Sequence, residues 1–220
     1  MESFDSNIKM SSNKEKKDNE DKKYNCFNYD VIIDSSSIKN LNTTGWKIIY
    51  SGNKKEKREM IELKEKTIIS FLGPENRGKT YLLQKLTESN IEPGYQTRTK
   101  GVNMKFHDDI IFLDIPGPNY PLLLEGDMKR PNEAEKQNAH FCQIITNYII
   151  KTFVINQADI LICVFGLLFS EEYLFLNKIK KLCENKKKLI VIHNLAHCNT
   201  IDDIENYKNE ILLKTLFVEF

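Results

Sequence analysis

The stretch Thr67-Ile-Ile-Ser-Phe-Leu-Gly-Pro-Glu-Asn-Arg-Gly-Lys-Thr80 decides the fold of this chain. Its first half, Thr67–Leu72, is a short apolar run that predicts a buried β-strand. Its second half, Gly73–Thr80, matches the pattern G-x-x-x-x-G-K-S/T. Tyr81–Leu86 continues as a helix with leucines at its apolar positions. A strand, a glycine-bearing loop and a helix in this order predict a phosphate-binding loop.

The residue types of this loop fit the chemistry of a polyphosphate. Gly73 and Gly78 stand where the backbone must turn and approach the phosphates closely. The helix that follows adds the positive end of its dipole. Lys79 offers a positive charge to the β- and γ-phosphates, and Thr80 offers a hydroxyl to Mg²⁺. The sequence therefore predicts a nucleoside-triphosphate-binding domain with Mg²⁺ as its cofactor.

Two further motifs follow at distances that suit a nucleotide switch. Thr99, twenty residues after the loop lysine, is the candidate hydroxyl that reaches Mg²⁺ only while the γ-phosphate is present, and Thr97 is the alternative. Asp114 ends a second apolar run, where a carboxylate beside the loop can hold Mg²⁺ through water. Gly117, three residues on, can present its backbone N–H to the γ-phosphate.

The rest of the chain alternates between strand and helix patterns. The predicted elements are extended segments at Asp30–Asp34 and Trp46–Tyr50, helices at Glu133–Gln157, Ser170–Glu184 and Ile201–Leu213, and strands at Ile110–Asp114, Asp159–Leu168 and Leu189–His193. This alternation predicts an α/β fold, a three-layer P-loop domain with a mainly parallel sheet. We expect residues 1–24 to form a disordered charged tail, and residues 25–220 a domain that is incomplete at its C-terminus.

Charge and composition limit the kinds of partner that we expect for this chain. Lys and Arg number 32 and Asp and Glu 31, so the net charge of +1 gives no electrostatic reason to expect nucleic acid or an anionic membrane as a partner. The longest apolar run, Ile160–Phe169, is too short to span a bilayer, so we expect no direct membrane anchor. The five cysteines form no C-x-x-C pair, which favours reduced thiols and a cytoplasmic location.

Three segments resemble the guanylate-binding protein and atlastin group of large, dynamin-like GTPases. They are Gly78–Leu86 (GKTYLLQKL), Thr97–Val102 (TRTKGV) and Phe112–Gly117 (FLDIPG). The resemblance extends over about residues 66–195. It implies GTP and GDP as ligands, Mg²⁺-dependent hydrolysis and a nucleotide-dependent homodimer.

The motifs and the resemblance together define a predicted site. Its catalytic residues are Lys79, Arg77 and Thr99. Its nucleotide contacts come from Gly73, Asn76, Arg77, Gly78, Lys79, Thr80, Tyr81, Gly117 and Asn194. Its metal ligands are Thr80, Thr99 and Asp114. Arg77 enters through the resemblance, which implies a catalytic arginine in this loop; the family's own position for it is occupied here by Asn76.

The base-binding region departs from the family pattern. GTPases recognise guanine with a carboxylate that follows a strand, and here that strand is followed by Asn194-Leu-Ala-His197, with no carboxylate. Asn194 remains as a candidate contact to the base edge. The leading interpretation is a GTPase. The alternatives are a nucleotide-binding module that does not hydrolyse, and a base-indiscriminate nucleoside triphosphatase, including an ATPase.

Overall fold

The computed structural model describes most of the chain from Tyr29 onward. The described residues are 29–34, 38, 43, 45–51, 66–91, 101–117, 132–183 and 188–216. The predicted tail of residues 1–24 and the candidate switch residues Thr97 and Thr99 lie outside these ranges.

Strands and helices alternate along the described residues. The strands are β1 (Val31–Asp34), β2 (Lys47–Tyr50), β3 (Thr67–Leu72), β4 (Val102–His107), β5 (Ile110–Asp114), β6 (Ile160–Phe165) and β7 (Lys188–His193). The helices are α1 (Lys79–Thr87), α2 (Glu133–Gln157), α3 (Ser170–Cys183), α4 (Ile201–Asn206) and α5 (Leu213–Leu216). A π-helical segment, Tyr207–Leu212, joins the last two, so the single helix predicted for this region is interrupted.

The described strands form one sheet in the order β2-β1-β4-β5-β3-β6-β7. Its core, β5-β3-β6-β7, is parallel throughout, which confirms the predicted α/β fold. At one edge, β4 pairs antiparallel with β5, β1 with β4, and β2 with β1. The first of these pairings follows from the connection, because the two-residue turn Asp108–Asp109 is too short for the crossover that parallel strands need.

Two apolar clusters show that helices cover both faces of the sheet. Along β3, Phe71 belongs to one cluster and the next residue, Leu72, to the other, as the alternation of side chains in a strand requires. One cluster includes Leu83 of α1, and the other includes Val154 of α2 and Ile179 of α3. The core is therefore built in three layers, as the sequence predicted.

Helix α2 begins where a capping box satisfies its first backbone groups. The Asn132 side chain accepts a hydrogen bond from Glu135 N at 2.9 Å, and the Glu135 carboxylate accepts one from Asn132 N at 2.8 Å. The helix covers the predicted range, Glu133–Gln157. Within the described ranges, no helix combines the length and apolar character that crossing a membrane requires.

Candidate phosphate and magnesium site

The loop between β3 and α1 has the backbone that its glycines predict. Gly73 has φ 133° and Gly78 has φ 93°, both in a region that side chains disfavour. A Cβ atom on Gly73 would lie 2.1 Å from the carbonyl oxygen of Val164 in β6. A Cβ atom on Gly78 would lie 2.9 Å from Asn194 Nδ2. Gly73 therefore requires glycine because of both its backbone angle and its close packing on backbone atoms. Gly78 requires it because of its backbone angle, since the Asn194 side chain can move. Asn76 also has a positive φ, 57°, and its side chain is exposed.

Lys79 is the first residue of α1 and its ammonium group is folded back over the loop. Its Nζ donates to the carbonyl oxygen of Gly73 at 3.1 Å and to that of Pro74 at 2.7 Å. The residue is only 7% exposed. Burial lowers the pKa of Lys79, and the carboxylates of Asp114 and Glu75 oppose that shift. The loop thus curls around a buried positive charge, an arrangement suited to a polyphosphate.

Thr80 and Asp114 meet beside the lysine. Thr80 Oγ1 donates to Asp114 Oδ2 at 3.0 Å, and Asp114 is fully buried. The sheet brings them together, because Phe71 near the end of β3 pairs in register with Asp114 at the end of β5. A hydroxyl and a carboxylate are the hard oxygen donors that Mg²⁺ prefers, so the residues present fit this ion.

Tyr29 lies beside Thr80 and Asp114, although no sequence pattern pointed to it. Its hydroxyl donates to Asp114 Oδ2 at 2.5 Å, and the residue is 3% exposed. Burial and the neighbouring Asp114 raise the pKa of Tyr29 well above its ordinary value, so the hydroxyl keeps its proton. Asn103 of β4, also buried, lies beside this hydroxyl. No motif includes a residue before β1, so no local signal could have found it.

Gly117 packs directly on the phosphate-binding loop. A Cβ atom at this position would lie 2.4 Å from the backbone nitrogen of Glu75 and 2.9 Å from the carbonyl carbon of Pro74. The backbone three residues after Asp114 is therefore in contact with the loop backbone. The structure brings together the two motifs that the sequence placed far apart in the chain.

Arg77 makes a contact that the sequence did not predict. Its Nη2 lies 3.2 Å from Oε1 of Glu172 on α3, and the two side chains are 26% and 8% exposed. A Cβ atom on Gly166 would lie 3.1 Å from Arg77 Nη1, so the guanidinium also packs on the backbone after β6. The ion pair directs the charge of Arg77 toward α3. Its catalytic role stays a prediction, as does nucleotide contact by Tyr81, which lies exposed on α1.

Asn194 joins the loop after β7 to the phosphate-binding loop. Its Nδ2 donates to the carbonyl oxygen of Arg77 at 3.2 Å, and its Oδ1 accepts from Ala196 N at 3.1 Å. His197, three residues after Asn194, is exposed. The Asp203 side chain accepts hydrogen bonds from the N–H groups of Asn199 and Thr200 at the start of α4. Asn194 remains the predicted base contact.

His193 ties together the ends of β6 and β7. Its Nδ1 lies 3.3 Å from the carbonyl oxygen of Gly166 and 3.2 Å from the hydroxyl of Tyr207, which in turn accepts from Leu168 N at 2.7 Å. Burial lowers the pKa of His193, and the Gly166 carbonyl opposes the shift. The neutral ring thus links the backbone after β6 to Tyr207.

The sequence matches a protein family and is similar to a curated protein. A family model described as 50S ribosome-binding GTPase matches residues 68–195, more than half of the chain. A heat shock protein of Dictyostelium discoideum is 26% identical over a 220-residue alignment that covers 83% of this chain and 32% of the relative. The chain therefore spans about a third of the length of this curated relative.

Several solved structures are also similar. The G domain of the FeoB iron transporter of T. maritima is 22% identical, over 69% of this chain and 82% of that chain, with a TM-score of 0.36. Era, in complex with MgGDPNP and a segment of 16S ribosomal RNA, is 20% identical over 70% and 49%, with a TM-score of 0.43. A probable GTP-binding protein engB is 16% identical over 70% and 83%, with a TM-score of 0.41. The matched family model is not that of the guanylate-binding protein and atlastin group, which the segments Gly78–Leu86, Thr97–Val102 and Phe112–Gly117 resemble.

Proposed function

We propose that this chain, which belongs to the 50S ribosome-binding GTPase family and carries its GTP-binding domain, hydrolyses GTP with Mg²⁺ as cofactor. One observation carries the proposal. The buried ammonium of Lys79 and the Thr80–Asp114 pair lie together at a loop in which Gly73 leaves no room for a side chain. A positive charge beside two oxygen donors for Mg²⁺ is suited to binding and polarising a polyphosphate.

The proposed mechanism relies on position and charge. Lys79 neutralises the β- and γ-phosphates, and the loop N–H groups and the start of α1 bind their oxygens. Thr80, Thr99 and Asp114 would hold Mg²⁺, and the ion would supply further positive charge to the phosphates. Gly117 presents its N–H to the γ-phosphate. No glutamine or other catalytic base stands directly after Gly117 in the sequence to orient water, so we expect slow intrinsic turnover.

The proposal also includes a preference for the base of the nucleotide. Asn194 contacts the base edge, and the missing carboxylate reduces the preference for guanine over adenine.

The chain forms a nucleotide-dependent homodimer in this proposal. The expectation rests on the resemblance of Gly78–Leu86, Thr97–Val102 and Phe112–Gly117 to dynamin-like GTPases. Light scattering with GDP and with a non-hydrolysable GTP analogue tests it, and one mass with both ligands would contradict it. The expectations of a cytoplasmic location and of no nucleic-acid partner rest on composition alone and stay predictions.

Parallel binding and hydrolysis assays test the proposed function. Fluorescent GTP, GDP and ATP are titrated with Mg²⁺, and phosphate release is measured against a blank without protein. Lys79→Ala should weaken binding by about 10- to 100-fold or more, because a charge-assisted contact contributes about 1.5–3 kcal/mol. Lys85→Ala, at an exposed lysine on the same helix, is the matched control and should bind like the wild type. Tight binding by the Lys79 variant would reject the assignment.

The same assays separate the alternatives. Binding without phosphate release would favour a module that does not hydrolyse, which the missing carboxylate after Asn194 motivates. Equal affinity and turnover for ATP and GTP would favour a base-indiscriminate nucleoside triphosphatase.

A further inference from the structure

We propose that Tyr29 is a positioning residue for Asp114 and that its hydroxyl strengthens the affinity of the nucleotide site for Mg²⁺. The inference rests on the proposed function, because Mg²⁺ is needed at Asp114 only if the loop binds a nucleotide. It also goes beyond the motifs of the site, the first of which begins at Gly73.

Two hydroxyl groups converge on one oxygen of a buried carboxylate. Tyr29 donates to Asp114 Oδ2 at 2.5 Å, and Thr80 donates to the same oxygen at 3.0 Å. The terminal torsion of an aspartate is broad, so its carboxylate rotates readily unless partners restrain it. Two donors on one oxygen select a single orientation. Hydrogen bonds of this kind to a metal-binding carboxylate commonly raise metal affinity by about 10- to 100-fold.

The ring of Tyr29 is held firmly enough to act as such a restraint. It packs in the apolar cluster that contains Phe71, Leu83 and Phe112. The next residue, Asp30, is fixed to β4 at three points. Its backbone N–H donates to the carbonyl of Met104 at 3.0 Å. Its carboxylate accepts from the N–H of Phe106 at 2.7 Å and from Lys105 Nζ at 3.2 Å.

This anchoring gives the hairpin of β1 and β2 a connection to the site. The two strands add to the sheet edge beyond β4, away from the phosphate-binding loop. Through Tyr29 the start of the hairpin nevertheless reaches the carboxylate at the end of β5, 85 residues further along the chain. A tyrosine that only filled the core would not need its hydroxyl. Replacement of Tyr29 by Phe therefore distinguishes positioning from packing.

The test compares Tyr29→Phe with the wild type in the full chain. Fluorescent GDP and a non-hydrolysable fluorescent GTP analogue are bound in excess EDTA and then across a Mg²⁺ titration. We expect Tyr29→Phe to need about ten-fold or more Mg²⁺ for half of the Mg²⁺-dependent gain in affinity. Its affinity in EDTA should equal that of the wild type, since the loop and Lys79 are untouched. Tyr148→Phe, at an exposed tyrosine on α2, should change neither quantity.

The outcomes separate this inference from the proposed function. A wild-type chain that binds no nucleotide would overturn the proposed function and the inference with it. Mg²⁺-dependent binding with the same Mg²⁺ midpoint in wild type and Tyr29→Phe would overturn the inference alone. Equal losses in EDTA and in Mg²⁺ would assign Tyr29 a purely structural role and overturn it as well. Thermal melts without nucleotide identify a temperature at which the variant is folded, and the titrations are made there.

Discussion

Replacing Gly117 with alanine would place a methyl group where the structure leaves no room. The added Cβ would lie 2.4 Å from the backbone nitrogen of Glu75, 2.8 Å from its Cα and 2.9 Å from the carbonyl carbon of Pro74. All three are backbone atoms of the phosphate-binding loop, so no side chain can rotate to make space. Either the loop or the segment after β5 must move.

The size of the effect follows from packing and from the lost contact. Forcing a methyl group into a packed region costs about 1–3 kcal/mol. In a domain of this size, 1 kcal/mol lowers the melting temperature by about 2–4 °C, so we expect a decrease of about 2–12 °C. If the N–H of Gly117 also binds the γ-phosphate, its displacement removes about 1.5–3 kcal/mol from the binding of GTP. That loss corresponds to about 10- to 150-fold weaker binding of a GTP analogue, with GDP nearly unaffected.

Calorimetric titration with GDP and a non-hydrolysable GTP analogue, together with thermal melts, measures both quantities. Gly45→Ala is the control, because Gly45 has a positive φ of 74° but no atom within 4 Å of an added Cβ. It should lose some stability through backbone strain and leave both affinities unchanged. A Gly117→Ala chain with wild-type melting temperature and affinities would refute the close approach. Equal weakening of GDP and the GTP analogue would refute the contact with the γ-phosphate.

Three further changes test other parts of the site. Thr80→Ala should remove most of the Mg²⁺ dependence of nucleotide affinity, measured with Mg²⁺ and with EDTA, because it deletes a proposed metal ligand. An undiminished Mg²⁺ effect would exclude Thr80 from the proposed metal site. Glu172→Gln should lower the free energy of unfolding by about 1–3 kcal/mol in urea titrations, because it breaks a mostly buried ion pair with Arg77. The exposed neighbour Glu171→Gln should change it by less than about 0.5 kcal/mol, and equal effects would contradict this reasoning. Burial lowers the pKa of His193 in the folded chain, whereas the unfolded chain takes up a proton near 6.5. Stability should therefore fall as the pH drops below about 6.5, and melting curves of His193→Gln should show a weaker dependence; parallel profiles would contradict this.

Much of the fold was predictable because its signals are local. The run before Gly73, the positive-φ glycines and the apolar strands each depend on a few neighbouring residues. Helix α2 begins at the predicted residue because Asn132 and Glu135 form a capping box three residues apart. The antiparallel pairings of β1 with β2 and β4 were not predicted, because the apolar pattern of a strand says which face is buried but does not identify its neighbour.

The sequence by itself determined the phosphate-binding loop, the candidate metal-binding side chains Thr80 and Asp114, and the alternation of strands and helices. Residue type and spacing suffice there, since loop, helix start and strand end follow one another directly. Only the tertiary structure decided that Tyr29 reaches Asp114 across 85 residues and that Arg77 pairs with Glu172 across 95. Such contacts depend on which strands become neighbours and on the free energy of burying polar groups with partners, and no local pattern records either.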